Sequence, residues 1–377
     1  MRLRELLSET TVAPKRLGRA FNHLEDLVFF YGSTGTREAL DHLKEIAADS
    51  SSIRMKWDGN PQVYWGREKK GGPLILTGHN GWARGVKSSS PHEIYNFIAH
   101  QSGDPKTPEE RASREQFANQ FAQLYPLFDA ATPKNFVGFV YADALFLTPP
   151  TADAQGIFHL HPNPLSKTEY HIADDSALGQ RIQGAKVMVV GHGIFDRFGA
   201  ADHDQTPKDS FDEFNSNPEL IVLGPYYTQV QAKIDDAELK AVGKYLIQHA
   251  STIDGFLAPL PGVAAFKDYI YKYMNTQAKQ GQLANVGDNF MDWLASSKIS
   301  VQQQQKIRDR AEQYPGALTV IFKLVRDIMA LKDHVIDQLD NRPGEIVATD
   351  SEGWVRYAKG NKQHGNVKFV PRHRWVP

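Results

Sequence analysis

The chain has 377 residues, of which 41% are hydrophobic and 23% are charged, and its formal net charge is −1. This composition excludes an intrinsically disordered chain, which has few core-forming residues and a large net charge, and also a globally basic nucleic-acid coat protein. The absence of cysteine excludes disulfides, thiolate metal ligands and a thiol nucleophile.

The hydropathy pattern predicts a protein without membrane spans. No apolar stretch reaches the ~18 residues that a spanning helix needs. The charged start, residues 1–9, lacks the long apolar middle of a signal peptide. We therefore expect a cytoplasmic protein with no membrane partner.

Changes of pattern along the chain predict four segments. Residues 1–50 form a helical lead-in, and residues 51–230 are mainly short strands separated by glycine and proline turns, with helices across 91–129. Residues 231–343 are almost purely helical, with predicted N-caps at Asp235 and Ser300. Residues 344–377 return to a β pattern and carry a basic tail. The fold class is predicted to be α+β, a sheet domain with a large helical insertion.

The segment Lys56-Trp57-Asp58-Gly59 carries the most chemistry. A lysine amine becomes a nucleophile when burial or nearby positive charge lowers its pKa. Lys56 could then attack the α-phosphate of a metal-bound nucleoside triphosphate, expel pyrophosphate and hold the nucleoside monophosphate through a P–N bond. Gly59 would let the backbone approach the nucleotide, and Asp58 would orient the lysine or accept from ribose. The alternative is an ordinary surface turn, because Asp-Gly is common in hairpins.

The spacing Lys-x-Asp-Gly resembles the first motif of the covalent nucleotidyltransferase superfamily, which contains ATP-dependent DNA ligases, RNA ligases and mRNA capping enzymes. Later segments resemble its other motifs in the same order. They are the turn Leu76–Gly81 with Asn80, a strand ending in Asp143, a strand with His192 or Phe195 as the base-stacking ring, the run Glu352-Gly353-Trp354-Val355-Arg356, and Lys368. The local sequence Lys56-Trp57-Asp58-Gly59-Asn60-Pro61 is most similar to that of phage-encoded members of the superfamily. A phage-encoded protein would be located in the cytoplasm of the host.

The resemblance implies a mainly antiparallel, two-sheet nucleotidyltransferase core. It also implies roles: Lys56, Asp58 and Lys368 are catalytic, and Asp143 and Glu352 bind Mg²⁺. Nucleotide-binding roles fall to Arg54, Gly59, Asn80, His192, Phe195 and Arg356. The implied function is that of an ATP-dependent ligase. It forms a lysyl-AMP intermediate and passes AMP to the 5′-phosphate of RNA or nicked DNA.

Two positions depart from the family pattern. Gly78-His79 replaces a Ser-Arg pair, and Arg54 stands where ligases commonly have an acidic residue near the base. The choice between adenine and guanine therefore stays open, with ATP favoured by its frequency in the family. The departures also leave open an inactive nucleotide-binding relative that acts as a phage structural or interaction protein. AMP transfer to a protein or a small molecule is a further alternative.

Histidines suggest a competing metal-site hypothesis. His159 and His161 would share one face of a strand. Together with His171, or with a second set further along the chain, they could bind a transition metal for hydrolysis. That second set is His192, Asp196, Asp202 and His203. Separately, the residues from Gly353 to Pro377 include six Lys or Arg side chains and no acidic one, and aromatic side chains lie between the basic ones. This stripe predicts a phosphate-binding footprint or an ordinary basic tail.

Overall fold

The computed structural model describes residues 22–101, 107–164, 166–201, 204–228, 230–340, 345–349, 353–356 and 366–372. Residues 1–21 of the predicted lead-in lie outside these residues, as do Glu352, Asp202 and His203. So does much of the basic tail. Among the described residues, no helix combines the length and the apolar character needed to cross a bilayer.

The fold is α+β, as predicted. The helices in chain order are α1 (Asp26–Ala48), α2 (His79–Ala83), α3 (Pro91–Asn96), α4 (Pro108–Gln123), α5 (Tyr125–Ala131), α6 (Ala177–Gly184), α7 (Asp236–Leu257), α8 (Phe266–Lys279), α9 (Phe290–Ser296), α10 (Val301–Gln313) and α11 (Ala317–Asp340). The strands are β1 (Asn22–His23), β2 (Ile53–Met55), β3 (Gln62–Arg67), β4 (Ile75–Gly78), β5 (Gly138–Phe146), β6 (Ile157–Leu160), β7 (Glu169–Ala173), β8 (Val187–Phe195), β9 (Thr206–Pro207), β10 (Leu220–Leu223), β11 (Ile346–Thr349), β12 (Trp354–Arg356) and β13 (Val367–Phe369).

The chain forms two compact units. The first unit contains Met1–Ile53, Val230–Leu339 and Trp354–Pro377, and the second contains Arg54–Gln229 and Asp340–Gly353. The predicted breaks at residues 50, 230 and 343 lie close to these boundaries, but the grouping differs. The first unit joins helix α1, the helical block and strands β12 and β13, and strand β11 belongs to the second unit. The prediction treated the helical block as a separate insertion.

Helices dominate the first unit. Both predicted N-caps are confirmed, because the side chains of Asp235 and Ser300 accept hydrogen bonds from the backbone N–H groups of Ala237 and Gln303. Helix α11 buries one long apolar face, as its helical spacing predicts. A small sheet accompanies the helices, in which β13 pairs parallel to β1 and antiparallel to β12.

Buried charges explain the grouping of the first unit. Lys332 on α11 donates to both carboxylate oxygens of Glu25 at 3.0 and 2.9 Å and to the Val370 carbonyl at 2.8 Å. Arg372 donates to Glu25 at 2.8 Å and also contacts Asp26. Isolated buried charges are costly, so these groups must stay together. The network therefore links the start of α1, helix α11 and the C-terminal segment.

The second unit contains two sheets that are mainly antiparallel. The larger one has the order β10-β8-β5-β3-β4, with β9 on β8, and only its β10–β8 pair is parallel. One face carries an apolar core that includes Trp65, Phe121, Phe128 and Val140. The second sheet has the order β11-β7-β6 and is antiparallel throughout. The Lys56–Gly59 segment lies between β2 and β3.

Candidate functional site

Backbone contacts hold the Lys56–Gly59 segment against strand β5. The half-buried Lys56 donates its backbone N–H to the Gly353 carbonyl at 2.9 Å. A Cβ on Gly59 would lie 2.6 Å from the Asp143 Cβ and 2.7 Å from the Ala144 carbonyl oxygen, closer than real contacts allow. Only glycine fits this position. The close approach predicted for Gly59 is thus an approach to the strand that carries Asp143.

Two predicted carboxylates, those of Asp58 and Asp143, are buried here and are only partly hydrogen-bonded. Asp58 Oδ1 accepts from the Asn163 amide at 2.9 Å, and Asp143 Oδ2 lies 2.8 Å from His192 Nε2. Asp58 Oδ2 and Asp143 Oδ1 are buried and have no hydrogen-bond partner among the described residues. An unpaired buried carboxylate oxygen is costly. These two oxygens are therefore the atoms of this site that are suited to a cation or a ligand donor.

Tyr170 on β7 contacts two residues of the Lys56–Gly59 segment. Its hydroxyl oxygen accepts the backbone N–H of Asp58 at 2.7 Å, and its ring packs against Trp57 with centroids 4.9 Å apart. Burial raises the pKa of Tyr170, and the negative charges of Asp58 and Asp143 raise it further, against the hydrogen bond from the Asp58 backbone. The phenol therefore remains neutral and acts as a fixed hydrogen-bonding group beside both carboxylates.

A cavity of about 610 Å³ opens beside this loop. Gly59 and Asn80 both belong to its wall, which brings the predicted turn after β4 to the same place as the lysine motif. Its apolar lining comes from Phe97, Ile98, Phe117 and Phe121, and its polar lining includes Gln62, His79, Arg114 and Asn163. A pocket of this size, mostly apolar with a few polar groups, is typical of small-molecule sites.

The two candidate stacking rings have different surroundings. Phe195 is only 1% exposed and packs among the rings of Tyr64, Trp82 and Tyr141. Its ring belongs to the core, so it presents no face to a base. His192 lies 4.9 Å from the Tyr141 ring, and its Nε2 contacts Asp143. The structure therefore gives His192 a role as the partner of Asp143.

Arg54, predicted near the base, is buried. Its guanidinium interacts with Tyr227, whose hydroxyl donates to Asp209 at 2.5 Å. Burial lowers the pKa of Arg54 to about 10, and the charges of Tyr227 and Asp209 partly oppose this shift. The buried Arg54 thus pairs with the half-buried Tyr227 and the exposed Asp209 within the second unit.

The remaining predicted residues belong to the first unit or lie outside the described residues. Arg356 is 3% exposed, and its guanidinium is 2.5 Å from both His42 Nδ1 and Glu45 Oε2. Lys368 is a half-buried residue of β13, where its register partners are His23 and Val355. Glu352 lies outside the described residues.

The predicted basic stripe is not an exposed surface where the structure describes it. Arg356 and Arg372 are both buried and paired with acidic side chains. Paired guanidinium groups inside a unit are not available to phosphates. Lys359, Lys362 and Arg374 of the same stripe lie outside the described residues.

Of the predicted residues, Gly59 and Asn80 line the cavity, Asp143 lies against Gly59, and His192 contacts Asp143. Sequence reasoning missed Asn163 and Tyr170, which bind Asp58 across 105 and 112 residues. Neither residue forms part of a local pattern, and only the folded sheets bring them to the loop.

A model of a family of unknown function, DUF6267, matches residues 19–73, a segment that contains Lys56, Asp58 and Gly59. No curated protein and no solved structure matches the chain.

Proposed function

We propose that the chain is an ATP-dependent nucleotidyltransferase that forms a lysyl-AMP intermediate at Lys56 and passes AMP to a 5′-phosphate of RNA or nicked DNA. One observation carries the proposal. The Lys-x-Asp-Gly motif ends at Gly59, which lines a cavity of about 610 Å³ and lies against Asp143. Asp58 and Asp143 each keep one buried carboxylate oxygen without a partner among the described residues.

The donor set of the loop fits a magnesium ion. Mg²⁺ prefers oxygen ligands and is commonly held by one or two carboxylates together with substrate phosphates. Asp143 Oδ1 and Asp58 Oδ2 are buried carboxylate oxygens without a partner among the described residues. They are the atoms that would hold the ion. When bound, it would neutralise charge on the phosphate oxygens.

The cavity fits an adenine nucleotide. Its volume lies within the range of about 300–1,000 Å³ that is typical of ligand pockets. The flat purine has an apolar face suited to the phenyl rings of Phe97 and Phe117. The side-chain amides of Gln62 and Asn80 belong to the same wall and suit the polar edges of the base and ribose.

The proposed chemistry has two steps. The neutral amine of Lys56 attacks the α-phosphorus of ATP, a P–N bond forms, the bond to the bridging oxygen breaks, and pyrophosphate leaves. The amine proton is released to water. An oxygen of the acceptor 5′-phosphate then attacks the same phosphorus, and cleavage of the P–N bond regenerates Lys56. The choice of a nucleic-acid acceptor rests on the family resemblance.

Covalent labelling tests the first step. The full chain is incubated with α-labelled ATP and Mg²⁺ and separated on a denaturing gel. We expect label on the wild type and on Lys69→Arg, since Lys69 is an exposed lysine of the same unit. Lys56→Arg keeps the positive charge but lacks a nucleophilic amine, so it should carry no label. An unlabelled wild type, or full labelling of Lys56→Arg, would contradict the proposal.

The same assay separates the alternatives. Binding of ATP without label on the wild type indicates a nucleotide-binding module instead of an enzyme. Label that stays on the protein when 5′-phosphorylated RNA or nicked duplex DNA is added indicates that the acceptor is a protein or a small molecule. Loss of label with formation of an adenylated nucleic acid supports the ligase-like reaction.

A further inference from the structure

Strands β6 and β7 place two histidines and one glutamate on the same face of the small sheet of the second unit. His159 on β6 is the register partner of His171 on β7, and their ring centroids are 4.7 Å apart. Glu169 precedes His171 by two residues on the same strand, so its side chain points to the same face. Donor atoms of the three side chains all lie within 4.8 Å of one another.

The distances are close to those of a tetrahedral metal site. Glu169 Oε1 lies 3.2 Å from His159 Nδ1, and Glu169 Oε2 lies 3.1 Å from His171 Nε2. Zinc–ligand bonds of about 2.0–2.2 Å in tetrahedral geometry put neighbouring donor atoms roughly 3.4 Å apart. Small side-chain movements would therefore bring one carboxylate oxygen and two imidazole nitrogens to coordination distance.

Asp153 contacts the ring nitrogen of His159 that does not face Glu169. Its Oδ2 lies 2.9 Å from His159 Nε2, while its Oδ1 accepts the backbone N–H groups of Gln155 and Ile157 at 2.9 Å each. A carboxylate can only accept, so this contact places a proton on Nε2 and directs Nδ1 at Glu169. A carboxylate that orients a ligating histidine through its other nitrogen is a common feature of metal sites.

With Nε2 turned to Asp153, the His159 ring directs Nδ1 into the space that it shares with Glu169 and His171, and Nδ1 is a nitrogen atom that can coordinate a metal ion. The side chains are partly open to solvent, from 28% exposed for His171 to 42% for His159. An ion can therefore enter from solution and keep a water ligand.

We propose that His159, Glu169 and His171 bind a divalent transition-metal ion such as Zn²⁺, with Asp153 as the residue that orients His159. Imidazole nitrogen favours Zn²⁺, Ni²⁺ or Cu²⁺ over Mg²⁺ and Ca²⁺, which prefer oxygen ligands. Glu169 and His171 point to the opposite face of β7 from Tyr170, the residue that contacts Asp58, and none of the three ligands takes part in the proposed reaction with ATP, so the site stands or falls independently of the proposed function. The predicted pair of His159 with His161 is replaced here, because His161 Nε2 lies 2.8 Å from the Ser166 carbonyl oxygen.

Calorimetric titration of the metal-free, untagged full chain with Zn²⁺ tests this site, and Co²⁺ provides a visible absorption signal for the same ligands. We expect one high-affinity ion per chain. His159→Asn/His171→Asn should weaken binding by more than about 100-fold, and Asp153→Asn by about 10- to 100-fold. His92→Asn/His161→Asn removes two exposed imidazoles of the same unit outside the site and should change the affinity less than about threefold.

Circular dichroism of the metal-free variants checks their folding. Glu169→Gln keeps both rings and the side-chain size, and it provides the same test if the double variant does not fold. The proposal fails if the wild type binds no ion at one per chain. It also fails if the variant of His159 and His171 binds like the wild type, or if the control variant loses as much affinity.

Discussion

The two units contain buried carboxylates that differ in how fully they are hydrogen-bonded. In the first unit, both carboxylate oxygens of Glu25 receive hydrogen bonds from cations, and Lys332 makes three contacts of 3.0 Å or less. In the second unit, Asp58 and Asp143 each keep one buried oxygen without a partner among the described residues. Both oxygens of Glu25 are hydrogen-bonded within the fold, whereas Asp58 and Asp143 each keep an acceptor oxygen that a bound cation or ligand would complete.

The electrostatics of Glu25 follow from this pairing. Burial alone would raise the pKa of Glu25, but the charges of Lys332 and Arg372 hold it far below its ordinary range. Glu25 is thus ionised and satisfied without any ligand. The comparison predicts that substitutions in the paired network change stability, while substitutions around Asp143 change activity together with stability.

The largest stability effect is expected at Lys332. Lys332→Met removes a buried cation and leaves Glu25 with Arg372 as its remaining charged donor. Breaking a buried ion pair from one side costs about 3–5 kcal/mol. Urea denaturation, followed by the helical circular dichroism signal, measures the change in the free energy of unfolding. Lys240→Met removes an exposed i,i+4 pair with Asp236 and should cause no measurable change.

An equal, small effect of Lys332→Met and Lys240→Met would contradict the view that the paired network stabilises the first unit. Full labelling by ATP of a folded Lys332→Met chain is also expected, because the network belongs to a different unit from the Lys56 motif.

A medium effect is expected at Gly59. Gly59→Ala would place a Cβ 2.6 Å from the Asp143 Cβ, so the loop or strand β5 must shift. Overpacking of this kind costs about 1–3 kcal/mol, and the shift should also lower covalent labelling of Lys56. Unfolding and labelling are measured on the same preparations.

Gly184→Ala is the matched control for this substitution. Its added Cβ would meet no atom within 4 Å, and the residue ends helix α6 in the same unit. We expect full labelling and a change in unfolding free energy below about 0.5 kcal/mol. If Gly59→Ala behaves like Gly184→Ala, the close contact with Asp143 has no importance for the site.

Local patterns of the sequence were enough to predict much of the fold. The period of 3.6 residues gave the helical block, and the caps at Asp235 and Ser300 follow from the side chain and its immediate neighbours. The Lys-x-Asp-Gly motif is also local. Its four residues are contiguous, and Asn80, at the start of helix α2, follows two strands later.

Long-range pairing could not be predicted in the same way. Glu25 meets Lys332 and Arg372 across 307 and 347 residues, and this contact decides which segments share a unit. Glu169 entered no prediction, because its partner His159 belongs to another strand and one acidic residue in a strand carries no pattern. Such contacts depend on strand register and helix packing, which a linear motif does not encode.

The smallest effect concerns pH and the edge of the paired network. Burial, followed by the positive charge of Arg372, holds the pKa of His23 well below its ordinary value of 6.5, although Glu25 opposes this shift. The folded chain therefore resists a proton that the unfolded chain accepts. His23 therefore does not reduce the free energy of unfolding above pH 6.5, where it is neutral in both states. As the pH falls from 6.5 towards the lowered pKa, protonation of the unfolded chain reduces that free energy by at most about 1.4 kcal/mol per pH unit.

Urea denaturation at pH 7.5, 6.5 and 5.5 measures this decline. His23→Gln cannot take up a proton, so it should lose less stability between pH 6.5 and 5.5 than the wild type. His92→Gln changes an exposed histidine for which the wild-type decline should persist. Equal slopes for the wild type and His23→Gln would mean that the network tolerates another positive charge, because protonation of His23 would then cost nothing. The contrast between the fully paired carboxylate of Glu25 and the half-paired carboxylates of Asp58 and Asp143 would then be weaker.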